Sequence, residues 1–275
     1  VSAHPTPAND PRPFALGEGD RAVLCVHGLT GTPWEVRPIG ETLARSGYAT
    51  VGPLLAGHGD VDSLEASTWR DWYASVETAF DTLRDGGRRR VVLLGFSMGS
   101  LLVLRLAALR PDDVAGVVAM GVPLEFPGWK RAAIETLARL RSTPLVGGLI
   151  GRHDKRGGPD IRVLRMAQAN PSLRQFPYPT LRELVALQDE VRGLLPRVRA
   201  PLLLLHGGLD HAATPDDSAR VAQMVASADV RRRVFPRSFH HLAVDLDRDE
   251  VMREILDFVD RTTRESTPPS PEPST

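Results

Sequence analysis

Gly95-Phe96-Ser97-Met98-Gly99 reads G-x-S-x-G, and its flanks give it meaning. Val91-Val92-Leu93-Leu94 precede it as a short apolar run of β character. Ser100 to Leu109 follow as a helical run stopped by Pro111. A strand that turns sharply into a helix at a serine is a nucleophile elbow. The two glycines permit the tight turn, because a Cβ at either place would strike the neighbouring strand or helix. The turn projects the Ser97 hydroxyl out of the sheet. It also aims the Met98 backbone N–H at the place where an oxyanion would form, at the positive end of the new helix.

Strands and helices alternate on both sides of this motif. Ala22–Val26, Tyr48–Val51, Val114–Met120, Pro201–Leu205 and Val230–Phe235 read as strands. Thr32-Pro33-Trp34-Glu35 reads as a capping box with proline at the first helical position, opening a helix to about Arg45. Trp69, Trp72, Tyr73, Val76, Phe80 and Leu83 recur at helical spacing, as the core-facing stripe of another helix. Thr214-Pro215-Asp216-Asp217 opens a further helix, and Glu250 to Val259 forms the last. The pattern predicts an α/β fold: a mostly parallel central sheet with helices on both faces.

Four segments follow. Residues 1–15, with four prolines and no periodicity, read as an extended N-terminal arm. Residues 16–121 and 198–265 read as the α/β core. Residues 122–197 carry a helical run, Arg131–Leu140, and no strand signal. Inserted after a strand, they would form a helical cap over the strand C-termini, where open α/β sheets place their sites. Trp129, Ile134, Leu137, Leu145, Leu149 and Ile150 are its candidate pocket-lining side chains. Residues 266–275, rich in Pro, Ser and Thr, read as a disordered tail.

Lys+Arg and Asp+Glu both number 34 among the 275 residues, so nothing points to nucleic acid or an anionic membrane as partner. Arg88-Arg89-Arg90 and Arg231-Arg232-Arg233 abut strands and read as solvated strand entries. Cys25 is the only cysteine, which excludes an intramolecular disulfide and reads as a core thiol. No apolar run approaches a membrane span and no signal-peptide pattern is visible. The expected compartment is cytoplasmic.

A serine nucleophile needs a base, and the base an orienting acid. Leu202-Leu203-Leu204-Leu205-His206-Gly207-Gly208-Leu209-Asp210 offers the acid: a buried strand, a glycine loop, then Asp210. Asp216 and Asp217 look like helix-start residues. After the next strand, Arg237-Ser238-Phe239-His240-His241 supplies two adjacent histidines. Only one can meet Ser97. His240 is preferred, leaving His241 to pack locally or face solvent. The loop Val26-His27-Gly28-Leu29-Thr30-Gly31 can bring the Leu29 N–H beside that of Met98. His27 and His58 read as structural loop residues.

These motifs together resemble the small bacterial carboxylesterases and monoacylglycerol lipases of the α/β-hydrolase superfamily. The likeness spans about residues 20–262, with Gly57-His58-Gly59 and Asp245 added to the motifs above. It implies the α/β-hydrolase fold with an inserted helical cap. It assigns Ser97 as nucleophile, Asp210 as acid and His240, two residues after Ser238, as base. It gives Leu29 and Met98 as backbone oxyanion donors. Ser100 stands where the family commonly has glycine. The resemblance implies hydrolysis of small-molecule carboxylic esters of short-to-medium acyl chains through an acyl-enzyme, with no metal or organic cofactor. Monoacylglycerol hydrolysis is the close alternative. A thioesterase, an acyltransferase or a non-catalytic ligand-binding relative ranks behind both.

Overall fold

The computed structural model describes residues 9–88, 90–144, 147–155 and 157–264. Five strands come first: β1 (Phe14–Leu16), β2 (Ala22–Val26), β3 (Ala49–Gly52), β4 (Val91–Phe96) and β5 (Val114–Met120). A two-residue ladder follows, β6 (His153–Asp154) against β7 (Gln175–Phe176). β8 (Leu202–Gly207) and β9 (Val230–Phe235) complete the set. The central sheet runs β1-β3-β2-β4-β5-β8-β9. Only β1 is antiparallel to its neighbour, β3. Every residue of β2, β4, β5 and β8 is buried, which explains their unbroken apolar runs: a parallel strand covered on both faces has no polar side to alternate with.

The helices are α1 (Arg37–Arg45), α2 (Val61–Ala66), α3 (Trp69–Asp85), α4 (Met98–Leu109), α5 (Gly128–Arg141), α6 (Leu164–Ala169), α7 (Tyr178–Leu194), α8 (Pro215–Met224) and α9 (Arg248–Thr263). One core lies between the sheet and α3, α4 and α7. Its aromatic part is the α3 stripe, whose six members are all buried. The other core lies between the opposite face and α1 and α9. Among the described residues no helix is long and apolar enough to cross a membrane.

Four readings change. The N-terminal arm is drawn into the sheet at Phe14–Leu16, because the Phe14 ring fills the space left by Gly40 and Gly52, where any Cβ would collide with it. Thr32 makes no side-chain cap bond; Pro33–Glu35 is a single 3-10 turn and α1 begins at Arg37. Glu35 turns inward instead of back to the cap. Residues 122–197 contain the β6–β7 ladder, too short to show a period-two pattern. Arg231, Arg232 and Arg233 lie within edge strand β9, not at its entry. Arg232 donates to Ser218 Oγ, and Arg233 pairs with Glu250 and Glu254, so charge covers an edge open to pairing with another chain. The 266–275 tail and Leu145 lie outside the described residues.

Candidate active site

β4 ends at Phe96 and α4 begins at Met98, so Ser97 alone makes the turn. Its backbone sits at φ 53° and ψ −123°. A non-glycine residue there stores about 1–3 kcal/mol of strain, held by its surroundings. The Ser97 amide donates to Met120 O at 2.8 Å, and Ser97 O accepts from the Ser100 amide at 2.8 Å. A Cβ at Gly95 would collide with the Gly99 backbone, and one at Gly99 with the backbone of Val26 and His27. Ser100 is buried, and its hydroxyl faces Gly95 O at 2.9 Å and Met120 O at 3.0 Å. A glycine there could not tie β4 to β5 in this way.

Asp210 follows β8 on a tight glycine turn. Its Oδ1 accepts the Ala212 and Ala213 amides, each at 2.8 Å. Its Oδ2 lies 2.6 Å from His240 Nδ1 and 3.2 Å from His206 Nε2. Burial opposes ionisation of this carboxyl. The His240 charge and the His206, His240 and Ala213 hydrogen bonds outweigh it and hold the group well below the usual carboxylate range. Burial likewise opposes a charged His240, but the facing Asp210 charge and hydrogen bond raise its pKa overall. With Nδ1 donating to Asp210, the lone pair of His240 is on Nε2.

Close packing and carboxylates fix the His240 loop. Gly121, at φ +58°, lies where a Cβ would approach the His240 ring to 3.0 Å. Asp245 Oδ2 accepts the Phe239 amide at 2.7 Å, and its Oδ1 accepts the amides of Arg162 and Val163. Asp160 Oδ2 accepts the His240 amide at 3.2 Å. Residues between β5 and β8 thus clamp the histidine loop.

His241 is held by groups distant in sequence. Its Nε2 lies 3.2 Å from Glu35 Oε1 and its Nδ1 3.2 Å from Asp160 O. Glu35 is the residue sequence reasoning missed. Its Oε2 accepts the Gly28 amide at 2.9 Å, and its Oε1 also accepts from Ser172 Oγ at 3.3 Å. Burial disfavours the Glu35 anion, yet the His241 hydrogen bond and charge and the Gly28 amide bring its pKa down to about 2. No local signal marks this use; in the structure Pro33 and Trp34 are buried beside Glu35, so the turn faces the protein, not water.

The Gly28–Glu35 bond orients the loop after β2. Gly28 lies against Ser97, where a Cβ would come to 3.1 Å from the serine Cβ. Thr30 takes φ 63°, and Gly31 N donates to Gly28 O at 3.1 Å. The Leu29 amide has no hydrogen-bond partner among the described residues. The Met98 amide opens α4, where the first-turn N–H groups have no partner inside the helix. His27 donates from Nδ1 to Gly28 O and accepts the Leu55 amide on Nε2, which makes it a buried brace for this loop. Burial pushes the Cys25 thiol up to about 12, as befits an inert core side chain.

Ser97, His240, His241, Leu29 and Glu35 line one cavity of about 700 Å³. Trp129, Ile134 and Leu137 of α5 line it as well, with Leu181 and Leu184 of α7. Leu149 and Ile150 do not. Among the described residues, no group of three or more His, Cys, Asp or Glu side chains is arranged to hold a metal ion.

Residues 17–247 match the family model described as serine aminopeptidase, S33. The chain is 29% identical over 252 residues to the thermostable monoacylglycerol lipase of Bacillus sp. (strain H-257), covering 90% of this chain and 93% of that protein. It is 25% identical over 255 residues to a carboxylesterase of Bacillus subtilis (strain 168), covering 91% and 97%. A solved structure from work on LipS and LipT, two metagenome-derived lipolytic enzymes, superposes with a TM-score of 0.81 at 26% identity, covering 91% of this chain and 98% of the other. With the strand order, the elbow and these likenesses in hand, the chain is a member of the serine aminopeptidase S33 family of α/β-hydrolases.

Proposed function

We propose that this chain hydrolyses carboxylic esters of short-to-medium acyl chains, with Ser97 as nucleophile, His240 as base and Asp210 as the acid that orients it. The observation that carries this reading is the 2.6 Å contact from His240 to a buried, anionic Asp210, with His240 and Ser97 on the wall of one cavity. Lipase and esterase relatives support an ester hydrolase more broadly.

His240 Nε2 takes the Ser97 proton as Oγ attacks the ester carbonyl. Asp210 fixes the ring tautomer and stabilises the imidazolium. The Leu29 and Met98 amides hydrogen-bond the oxyanion, at the positive end of α4. His240 returns its proton to the leaving alcohol, and water then hydrolyses the acyl-enzyme by the same steps reversed in role.

The segment 122–197 acts in this reading as a cap that selects the acyl group. Each buried methylene contributes about 0.8 kcal/mol, so kcat/KM should climb with chain length until the cavity is full. Kinetics on p-nitrophenyl esters of rising chain length test this; a flat profile would remove the acyl pocket from the account. Monoacylglycerol is the second reading, favoured by the 29% identity to a monoacylglycerol lipase. Including monobutyrin and monolaurin in the panel separates the two.

A further inference from the structure

Lysine occurs twice in this chain, against thirty-two arginines. Both lysines, Lys130 and Lys155, line the cavity that holds Ser97. Lys155 follows β6, and its amide donates to Arg174 O at 2.9 Å, so the β6–β7 ladder carries it. Its ammonium donates to Thr30 Oγ1 and lies 4.7 Å from the centre of the Phe176 ring. Thr30 is the neighbour of Leu29. No carboxylate pairs with either lysine among the described residues.

The carboxylates that line the cavity, Glu35, Asp154 and Asp160, are all engaged elsewhere. Glu35 takes Gly28, His241 and Ser172. Asp160 takes His211 and the His240 amide, and Asp154 takes Gln175. Burial brings the Lys155 ammonium down to about 8, and the charge of Glu35 only partly offsets it. A desolvated cation without its own anion is costly to keep. Phe126, Ile134, Leu137, Leu181 and Leu184 give the cavity apolar lining, and the Lys130 ammonium lies among them, 4.6 Å from the centre of the Phe126 ring. The cavity therefore offers apolar lining to an acyl chain and, at Lys155, a cation without its own carboxylate to what that chain is esterified to.

We propose that the alcohol half of the substrate carries an anionic group, a carboxylate or a phosphate, and that Lys155 binds it. This rests on the ester-hydrolase reading above, and the test separates the two. The probes are 4-(butyryloxy)benzoate, 4-(butyryloxy)phenyl phosphate and the uncharged methyl 4-(butyryloxy)benzoate. The quantity read is the ratio of kcat/KM for each anionic ester to that for the methyl ester. A charge-assisted contact predicts that Lys155→Met lowers this ratio about tenfold or more and that Lys155→Arg restores most of it. The two anionic esters tell carboxylate from phosphate. A ratio that moves less than about threefold in Lys155→Met overturns the proposal, because a purely structural lysine would affect all esters alike. Calorimetric titration with 4-hydroxybenzoate and with phenyl phosphate reads the same contact without turnover. Binding that Lys155→Met weakens about tenfold keeps the anion site even if no ester is cleaved, in which case the ester reading falls alone. Equal binding by wild type and Lys155→Met removes the anion site.

Discussion

The buried carboxylate of Glu35 accepts the backbone amide of Gly28 at 2.9 Å and so fixes the peptide that precedes Leu29. The same carboxylate meets His241 at 3.2 Å, which joins the loop after β2 to the loop after β9. On the proposed mechanism Glu35 is a positioning residue: it aims an oxyanion donor without touching the substrate. Glu35→Ala should lower kcat by about 10- to 100-fold with little change in KM, less than outright loss of an oxyanion donor. Glu35→Gln keeps an acceptor for the Gly28 amide and should retain more activity. Equal losses in both variants, or a loss seen in KM alone, would break this role.

The two adjacent histidines should separate cleanly. His240→Ala should lose about 10⁴-fold or more in kcat, since on the proposed mechanism it removes the base. His241→Ala leaves Glu35 with Gly28 and Ser172 and should keep a substantial share of activity. Steady-state kinetics on one p-nitrophenyl ester decide it, and a dead His241 variant beside an active His240 variant would reverse the assignment.

The elbow makes a stability prediction that is independent of substrate. Gly95→Ala places a methyl group into the Gly99 backbone, which cannot move aside. It should cost more than about 3 kcal/mol or prevent folding. Gly59→Ala meets nothing within 4 Å and should change stability by under about 0.5 kcal/mol. Urea denaturation of the two variants measures the contrast. Similar midpoints would mean that the turn is not as tight as described.

Much of this was legible in the chain itself, and the reasons differ by element. β2 and β5 begin and end where their apolar runs do, residue for residue. Such strands advertise themselves because burial on both faces demands continuous hydrophobicity. The His240–Asp210 contact and the places of His240 and Ser97 on one cavity were legible because each residue closes a strand-and-turn pattern that local sequence carries. Glu35 was not. A Thr-x-x-Glu pattern reads as a helix cap, and only the long-range meeting with His241, 206 residues on, shows its use. Lys155 and Asp160 lie in a glycine- and proline-rich stretch without periodicity, so nothing local places them at the cavity. The β6–β7 ladder was hidden by its length of two residues per strand.

A pH profile tests the Asp210–His240 pair. The base must be neutral to accept the serine proton, and the facing carboxylate raises its pKa above the ordinary histidine value. kcat/KM should therefore be level at higher pH and fall as pH drops through that raised value. Asp210→Asn removes the charge that favours the imidazolium, leaving burial to disfavour it. The acid limb should then move to lower pH while the plateau drops about 10⁴-fold. A limb that moves upward, or a plateau that holds, would contradict the pairing.

The central claim is that Ser97 forms the acyl-enzyme, and covalent capture tests it most directly. The folded protein is treated with a fluorophosphonate, digested, and its adducts located by mass spectrometry. The account predicts one adduct, on Ser97, formed in step with loss of esterase activity, and no adduct on a folded Ser97→Ala protein whose kcat is down about 10⁴-fold or more. An adduct on another residue, or a folded Ser97→Ala protein that keeps most of its activity, would contradict it.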